Sequence, residues 1–248
     1  MKLLTVNVGR PTAVEYTDSP GGTTGIGKRP AEGAVRVTDP GPRGEGATDS
    51  GLAGDTVCDT RFHGGSDQAV YAYAREDLDF WERELGRPLP NGAFGENLTT
   101  SGIDLIGAKI GERWRIGGEL VLETTSGRVP CRTFQGHLGE QGWIRRFTRQ
   151  ATTGAYLRVI TPGEIRAGDP IEVVHRPDHE VTVGMVFRAV TVERELLPRI
   201  LAADKALNAR ELGIAREYVA KYAKPAGAGG QAGSGAQVAA KADGQVTA

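Results

Sequence analysis

Polar and apolar side chains alternate from Lys2 to Val8 and the run stops at Gly9, which predicts a first strand. A second is predicted over 33–38, where Val35 and Val37 share a face. From Asp39 to Gly54 glycine, proline, hydroxyl and acidic residues follow one another without periodicity, the texture of a mobile surface loop or insertion. With Ser66 or Asp67 as cap, a helix is predicted through Gln68 to about Leu85, carrying Val70, Tyr73 or Ala74, Trp81 and Leu85 near one face. Gly86 and Pro88 end it. Short strands are predicted at 97–100, 109–116 and 120–124, separated by glycines at the spacing of a barrel or sandwich.

Within 139–150 Trp143, Ile144 and Phe147 stand at helical spacing, with Arg145, Arg146 and Arg149 on the other positions. Strands over 155–160 and 171–174 flank the turn Thr161-Pro-Gly-Glu. Beyond Pro177 the pattern turns helical, over about 183–203 with a break near Pro198, then 208–212 and 215–222. The division expected is a β-rich domain over 1–176, a helical appendage over 177–224 and a disordered tail over 225–248. The Ala/Gly-rich tail lacks the apolar surface that would offset the entropy of ordering it.

The 36 glycines and 6% aromatic residues fit many turns and short elements. A net charge of −1 offers no general pull toward nucleic acid, which is not expected as a partner. Arginine outnumbers lysine 23 to 7, a bias that suits a small anionic ligand and that a GC-rich genome would produce equally. No apolar run approaches the ~20 residues of a membrane span, and the first residues lack the pattern of a cleavable leader. The expectation is a cytoplasmic protein with reduced thiols.

Candidate chemistry centres on Thr125-Ser-Gly-Arg-Val-Pro-Cys131, which delivers a cysteine just after a strand with Arg128 and Arg132 as neighbours. Flanking guanidiniums favour a thiolate, the form that acts as nucleophile and soft-metal ligand; simple burial is the alternative. Cys58, between Val57 and Asp59, is expected to be the less reactive thiol. His63-Gly64-Gly65 precedes the predicted helix and reads as an anion cradle or as a plain turn. Glu96 beside Asn97 could orient a polar ligand or pair with Arg158. The two cysteines and four histidines lack zinc-site spacing, and no GxSxG, P-loop or dinucleotide fingerprint is present.

In order along the chain, Thr24-Gly-Ile-Gly-Lys-Arg-Pro30, Gly54-Asp55, Phe62-His-Gly-Gly-Ser-Asp-Gln-Ala-Val-Tyr71, Phe94-Gly-Glu-Asn-Leu98, Ile110-Gly111, Arg128-Val-Pro-Cys131, Gly154-Ala-Tyr-Leu-Arg-Val159 and Gly168-Asp169 resemble the MOSC domain. This is the family named for the C-terminal domain of molybdenum cofactor sulfurase, and the resemblance is to its YiiM-like members. It implies a mainly β fold, a closed barrel with peripheral helices and a groove. It also implies molybdenum cofactor (molybdopterin), and Cys131 as catalytic residue and molybdenum ligand. The residues it implies for cofactor binding are Lys28, His63, Gly64, Gly65, Asp67, Phe94, Gly95, Glu96, Asn97, Arg128 and Arg158. The activity implied is reduction of N-hydroxylated compounds, such as hydroxylaminopurines and amidoximes, with electrons from an external flavoprotein. The alternative is a non-catalytic carrier of sulfur or cofactor through a Cys131 persulfide, or a scaffold that has lost the cofactor. Pyridoxal phosphate binding is a further reading at family level. Two positions depart from the usual motifs: Gly127 stands where proline is common, which is expected to loosen the turn, and Ala-Thr-Thr153 replaces Gly-Arg-Thr, removing an arginine from the expected ligand wall. The C-terminal helices could serve a homodimer, donor docking, a lid or packing alone.

Overall fold

The alternating segments do become strands in the computed structural model, which describes residues 1–222; the predicted disorder over 225–248 lies outside the described residues. In chain order the strands are β1 (Lys2–Val8), β2 (Thr12–Ala13), β3 (Thr23–Thr24), β4 (Arg29–Pro30), β5 (Val35–Val37), β6 (Val70–Ala74), β7 (Leu98–Ser101), β8 (Arg113–Ile116), β9 (Leu120–Ser126), β10 (Ala155–Thr161), β11 (Gly163–Ile165) and β12 (Ile171–His175). Eight form one curled sheet in the order β12-β8-β9-β10-β6-β7-β1-β4, antiparallel except for the parallel pair β6 and β7.

The sheet is an open half-barrel, a correction to the closed barrel expected. Its terminal strands β12 and β4 share no ladder. A lone bridge between Lys2 and Pro170, with Leu3 N–H on the Asp169 carbonyl at 2.9 Å, ties the start of β1 to the approach of β12. Pro30 and Pro170 both lack a backbone N–H, so neither edge can extend its pairing there.

The largest departure from the sequence reading is Val70–Ala74, which is a strand at the centre of the sheet and not the first turns of a helix. All five residues are buried. Val70, Ala72 and Ala74 face the main core, whereas Tyr71 and Tyr73 face a second, aromatic one. Pairing with β10 on one side and β7 on the other outweighs the helical period. Helix α1 (Arg75–Leu85) is the crossover that the parallel pair needs, and it ends at Gly86 with φ 66°.

The aromatic core joins α1 to α2 (Arg132–Leu138) and α3 (Trp143–Gln150) through Trp81, Phe94, Phe134, Trp143 and Phe147. Trp81 and Trp143 lie 4.6 Å apart, and Phe94 and Phe134 5.0 Å apart, both edge to face. Each such pair contributes ~0.5–1.5 kcal/mol beyond area burial. Helices α4 (Val183–Thr191), α5 (Leu197–Ile200) and α6 (Ala209–Tyr222) follow, the last continuous where two were expected. Val183, Val186, Ile200 and Ala215 join the same core cluster as Leu3 and Trp114, so these helices pack directly on the sheet. The 39–54 loop folds inward at its end, where Asp49, Ser50 and Leu52 are buried.

Candidate functional site

A solvent-open cleft of about 740 Å³ lies where the segments around residues 23–28, 50–64 and 95–97 meet the ends of β6, β9 and β10. On one wall Asp55, 1% exposed, is held by four donors. Gly9 N–H reaches Oδ1 at 2.7 Å, Ser50 Oγ and Asn97 Nδ2 reach Oδ2 at 2.6 and 2.9 Å, and Lys28 Nζ pairs with Oδ1. Burial lowers the pKa of Lys28 even though Asp55 opposes the shift. Lys28 therefore brings a desolvated ammonium to the cleft, fixed by a carboxylate with no free oxygen.

Facing it, β9 ends at Ser126 and the chain turns through Arg128 to Cys131, which precedes α2. Arg128 is buried, its Nη1 donates to the Phe94 carbonyl, and its guanidinium packs over the rings of Phe134 at 4.2 Å and Tyr71 at 5.1 Å. Its Nε has no partner among the described residues. Cys131, a free and half-buried thiol, lines the cleft beside Tyr156, whose ring centroid is 5.0 Å from that of Tyr71. Arg132 turns away to Asp18 at 2.5 Å. Burial and then Arg128 hold His63 down to about 4, so at neutral pH it is an uncharged polar group.

Of the residues singled out from sequence, Lys28, His63, Gly64, Gly95, Asn97, Arg128 and Cys131 converge on this cleft. The others stand outside its lining. Phe94 belongs to the aromatic core, and Glu96 accepts from Gly92 N–H at 2.5 Å, Phe94 N–H at 3.0 Å and Thr99 Oγ1 at 2.8 Å, which shapes the loop. Arg158 does not meet Glu96; it donates to Asp67 at 2.8 Å and to the Ala206 carbonyl at 3.0 Å. Asp67 in turn accepts from Ala209 N–H at 2.9 Å, so the pair fastens α6 to the sheet.

The His63-Gly-Gly turn is not an open cradle. Gly65 N–H donates to the Asp49 carbonyl at 3.0 Å and Ser66 N–H to that of Gly41 at 2.8 Å. Both glycines have positive φ, and a Cβ on Gly64 would lie 2.6 Å from the Asp49 oxygen, so they serve packing of the 39–54 loop. Gly127 packs closely on Thr153, whose Oγ1 a Cβ there would meet at 2.6 Å, a close approach that suits glycine. Thr152, at the position expected to carry a ligand-wall arginine, accepts from Trp81 Nε1 at 3.3 Å and is not part of the lining.

Ser50, Asp55, Cys58, Gln68, Tyr71 and Tyr156 line the cleft without having been chosen as site residues. The strict alternation Val-Tyr-Ala-Tyr-Ala was the available signal for Tyr71, since a strand puts alternate residues on one face. Burial raises the pKa of the Cys58 thiol.

The curled β sheet brings two thiols, one buried guanidinium and one desolvated ammonium to a single cleft, chemistry that can receive an anionic group. The sequence model of the MOSC domain matches residues 59–172. Uncharacterized protein YflK of Bacillus subtilis is 35% identical over 186 residues, 75% of this chain and 79% of that one. Protein YiiM of Escherichia coli is 33% identical over 141 residues, 55% and 61% of the two chains. A protein named Reductase from Gibberella moniliformis is 30% identical over 155 residues, 60% of this chain and 27% of that one. The crystal structure of YiiM from Geobacillus stearothermophilus has the same fold, with TM-score 0.68 at 24% identity over 87% of this chain and 97% of that one. The chain belongs to the MOSC domain family.

Proposed function

We propose that the protein is a reductase of N-hydroxylated compounds, such as hydroxylaminopurines and amidoximes, that works with molybdenum cofactor and an external flavoprotein as electron donor. The observation that carries this reading is the meeting of the Cys131 thiol with the buried Arg128 guanidinium, whose Nε lacks a partner among the described residues, in a cleft that also receives Lys28. A buried unpaired N–H is costly unless a ligand or water accepts from it. The residues fit the group: one soft thiolate suits molybdenum that brings pterin sulfurs of its own, and Arg128 and Lys28 suit the pterin phosphate. When bound, the cofactor would supply two-electron chemistry at the metal.

The chain itself would bind, orient and exclude water. Cys131 would hold the metal side and Gln68 would offer its amide to the ligand's edge, while Asn97, whose amide bonds Asp55, Asn7 and Tyr71, would keep that wall in place. Tyr156, partly exposed and backed by the buried Tyr71, would give a planar base an aromatic surface to stack on. Family membership and the relative named Reductase support the class of reaction. In protein from a cofactor-competent host, molybdenum by elemental analysis and hydroxylaminopurine reduction should both be lost in Cys131→Ala. Stoichiometric metal in the variant refutes the ligand.

The second thiol, Cys58, lines the same cleft and favours a carrier as the other reading. A carrier would show a persulfide on Cys131, a ~32 Da increment removed by reductant, and no turnover with any donor.

A further inference from the structure

Between the cleft and the first turn of α6 lies a buried junction whose polar atoms find no protein partner. Gln68 Oε1, Ser126 Oγ, Asn208 Nδ2 and Glu211 Oε2 all lack a hydrogen bond among the described residues, and all four residues are buried. The backbone joins their surroundings. Ser126 pairs with Tyr156 across the β9/β10 ladder. The Thr125 hydroxyl is 2.6 Å from the Asp67 carbonyl and 3.1 Å from that of Tyr156, and Asn208 N–H donates to the Thr125 carbonyl at 3.2 Å. Gln68 and Tyr156 also line the cleft, so the junction borders it.

Helix capping does not account for Glu211. It stands three residues after Asn208, where the carboxylate of a capping box would accept from the cap's N–H, but that N–H is already given to Thr125. Buried polar groups without protein partners are ordinarily satisfied by internal water, and several together mark a hydrated passage.

We propose that Glu211 is the proton donor of this site, passing its carboxyl proton through bridging water and the Tyr156 hydroxyl into the cleft. This rests on the reductase reading. In that reaction R–NHOH, two electrons and two protons give R–NH2 and water. The N–O bond breaks, its electron pair leaves with the oxygen, and a proton on that oxygen makes water the leaving group. The flavoprotein supplies the electrons, Glu211 the first proton and solvent the second. Burial raises the Glu211 pKa; its own backbone N–H, Arg210 and Arg43 oppose the shift, and Asp67, which is paired with Arg158, reinforces it.

Two measurements on the full chain test this. Infrared difference spectra of purified, cofactor-free protein during an acid-to-neutral titration should show the carbonyl stretch of a protonated carboxyl that Glu211→Gln removes. In loaded enzyme Glu211→Gln should lower kcat about 100-fold with KM unchanged and reshape the pH–rate profile, and Glu211→Asp should restore part of the rate. Wild-type kcat and pH profile in the Gln variant, or no such band in the wild type, overturns the proposal. If the band is present and the loaded wild type reduces no N-hydroxylated compound, the reductase reading falls and the proton-loaded carboxyl stands.

Discussion

Asp55 and Glu211 are buried carboxyl groups near one cleft, and their surroundings are opposite. Asp55 is saturated by Gly9, Lys28, Ser50 and Asn97, whereas Glu211 keeps one oxygen without a partner among the described residues. Saturated, Asp55 fixes geometry and has no acceptor left to give a ligand, although the Lys28 it holds still lines the cleft. An unsaturated group has capacity to bind or move something. The Asp55 wall therefore reads as the frame of the site and the Glu211 junction as its working part.

The largest effect should come from breaking the frame. Asp55→Ala leaves the Lys28 ammonium buried without its partner and strands the Gly9 and Asn97 donors, which should cost about 3–5 kcal/mol in urea unfolding. A loss below about 1 kcal/mol would put the two walls on the same footing and end the contrast.

His63, which lines the cleft with Asp55, gives the next effect. Its pKa is near 4 when folded and near 6.5 when unfolded, so between those values the unfolded chain binds the extra proton. Stability contributed by neutral His63 is complete above the unfolded value and is lost as pH falls from about 6.5 to about 4. Discounted for partial exposure, the loss is about 2 kcal/mol. Unfolding free energies of wild type and His63→Gln across that range should converge or cross by this amount as pH falls; a constant gap contradicts the assignment.

How much of this was legible in sequence follows from the range of the interactions. The cysteine segment, His63, Asn97 and Arg128 lie in short blocks that local pattern brought forward, whereas Lys28 came only from the resemblance to the MOSC domain. Ser50 and Asp55 reach the site because a loop without periodicity folds back onto β1 and Asn97, a contact between residues 42 apart for Asp55 and Asn97 that no local period encodes. Strand β6 was hidden because Val70 and Tyr73 or Ala74 fall on one helical stripe with Trp81 and Leu85. Asp67 and Arg158 show the converse: charged residues within motif blocks that fasten α6 and do not face the ligand space.

A position outside both networks calibrates backbone strain against polar effects. Ala151 closes α3 in the left-handed region at φ 59°, a conformation that costs an L-residue with a Cβ about 1–2 kcal/mol. Ala151→Gly should gain about 0.5–1 kcal/mol once the extra freedom of glycine in the unfolded chain is counted. A loss in thermal or chemical unfolding would show that the alanine methyl has contacts worth more than the strain.

The smallest effect decides what fills the junction. Ser126 is 1% exposed and its hydroxyl has no partner among the described residues, so there are two physical states to separate. In a dry junction the hydroxyl is a desolvated orphan, and Ser126→Ala should stabilise the fold by about 1 kcal/mol or more. In a hydrated one the hydroxyl holds a water that also bonds its neighbours, and its removal takes one of about three hydrogen bonds from that water. The expected result is then a loss of about 0.5 kcal/mol. The proton passage to Glu211 requires the second outcome, because a carboxyl proton crosses a buried junction only along hydrogen-bonded groups; a clear gain in stability for Ser126→Ala would close that route while leaving the Asp55 frame intact.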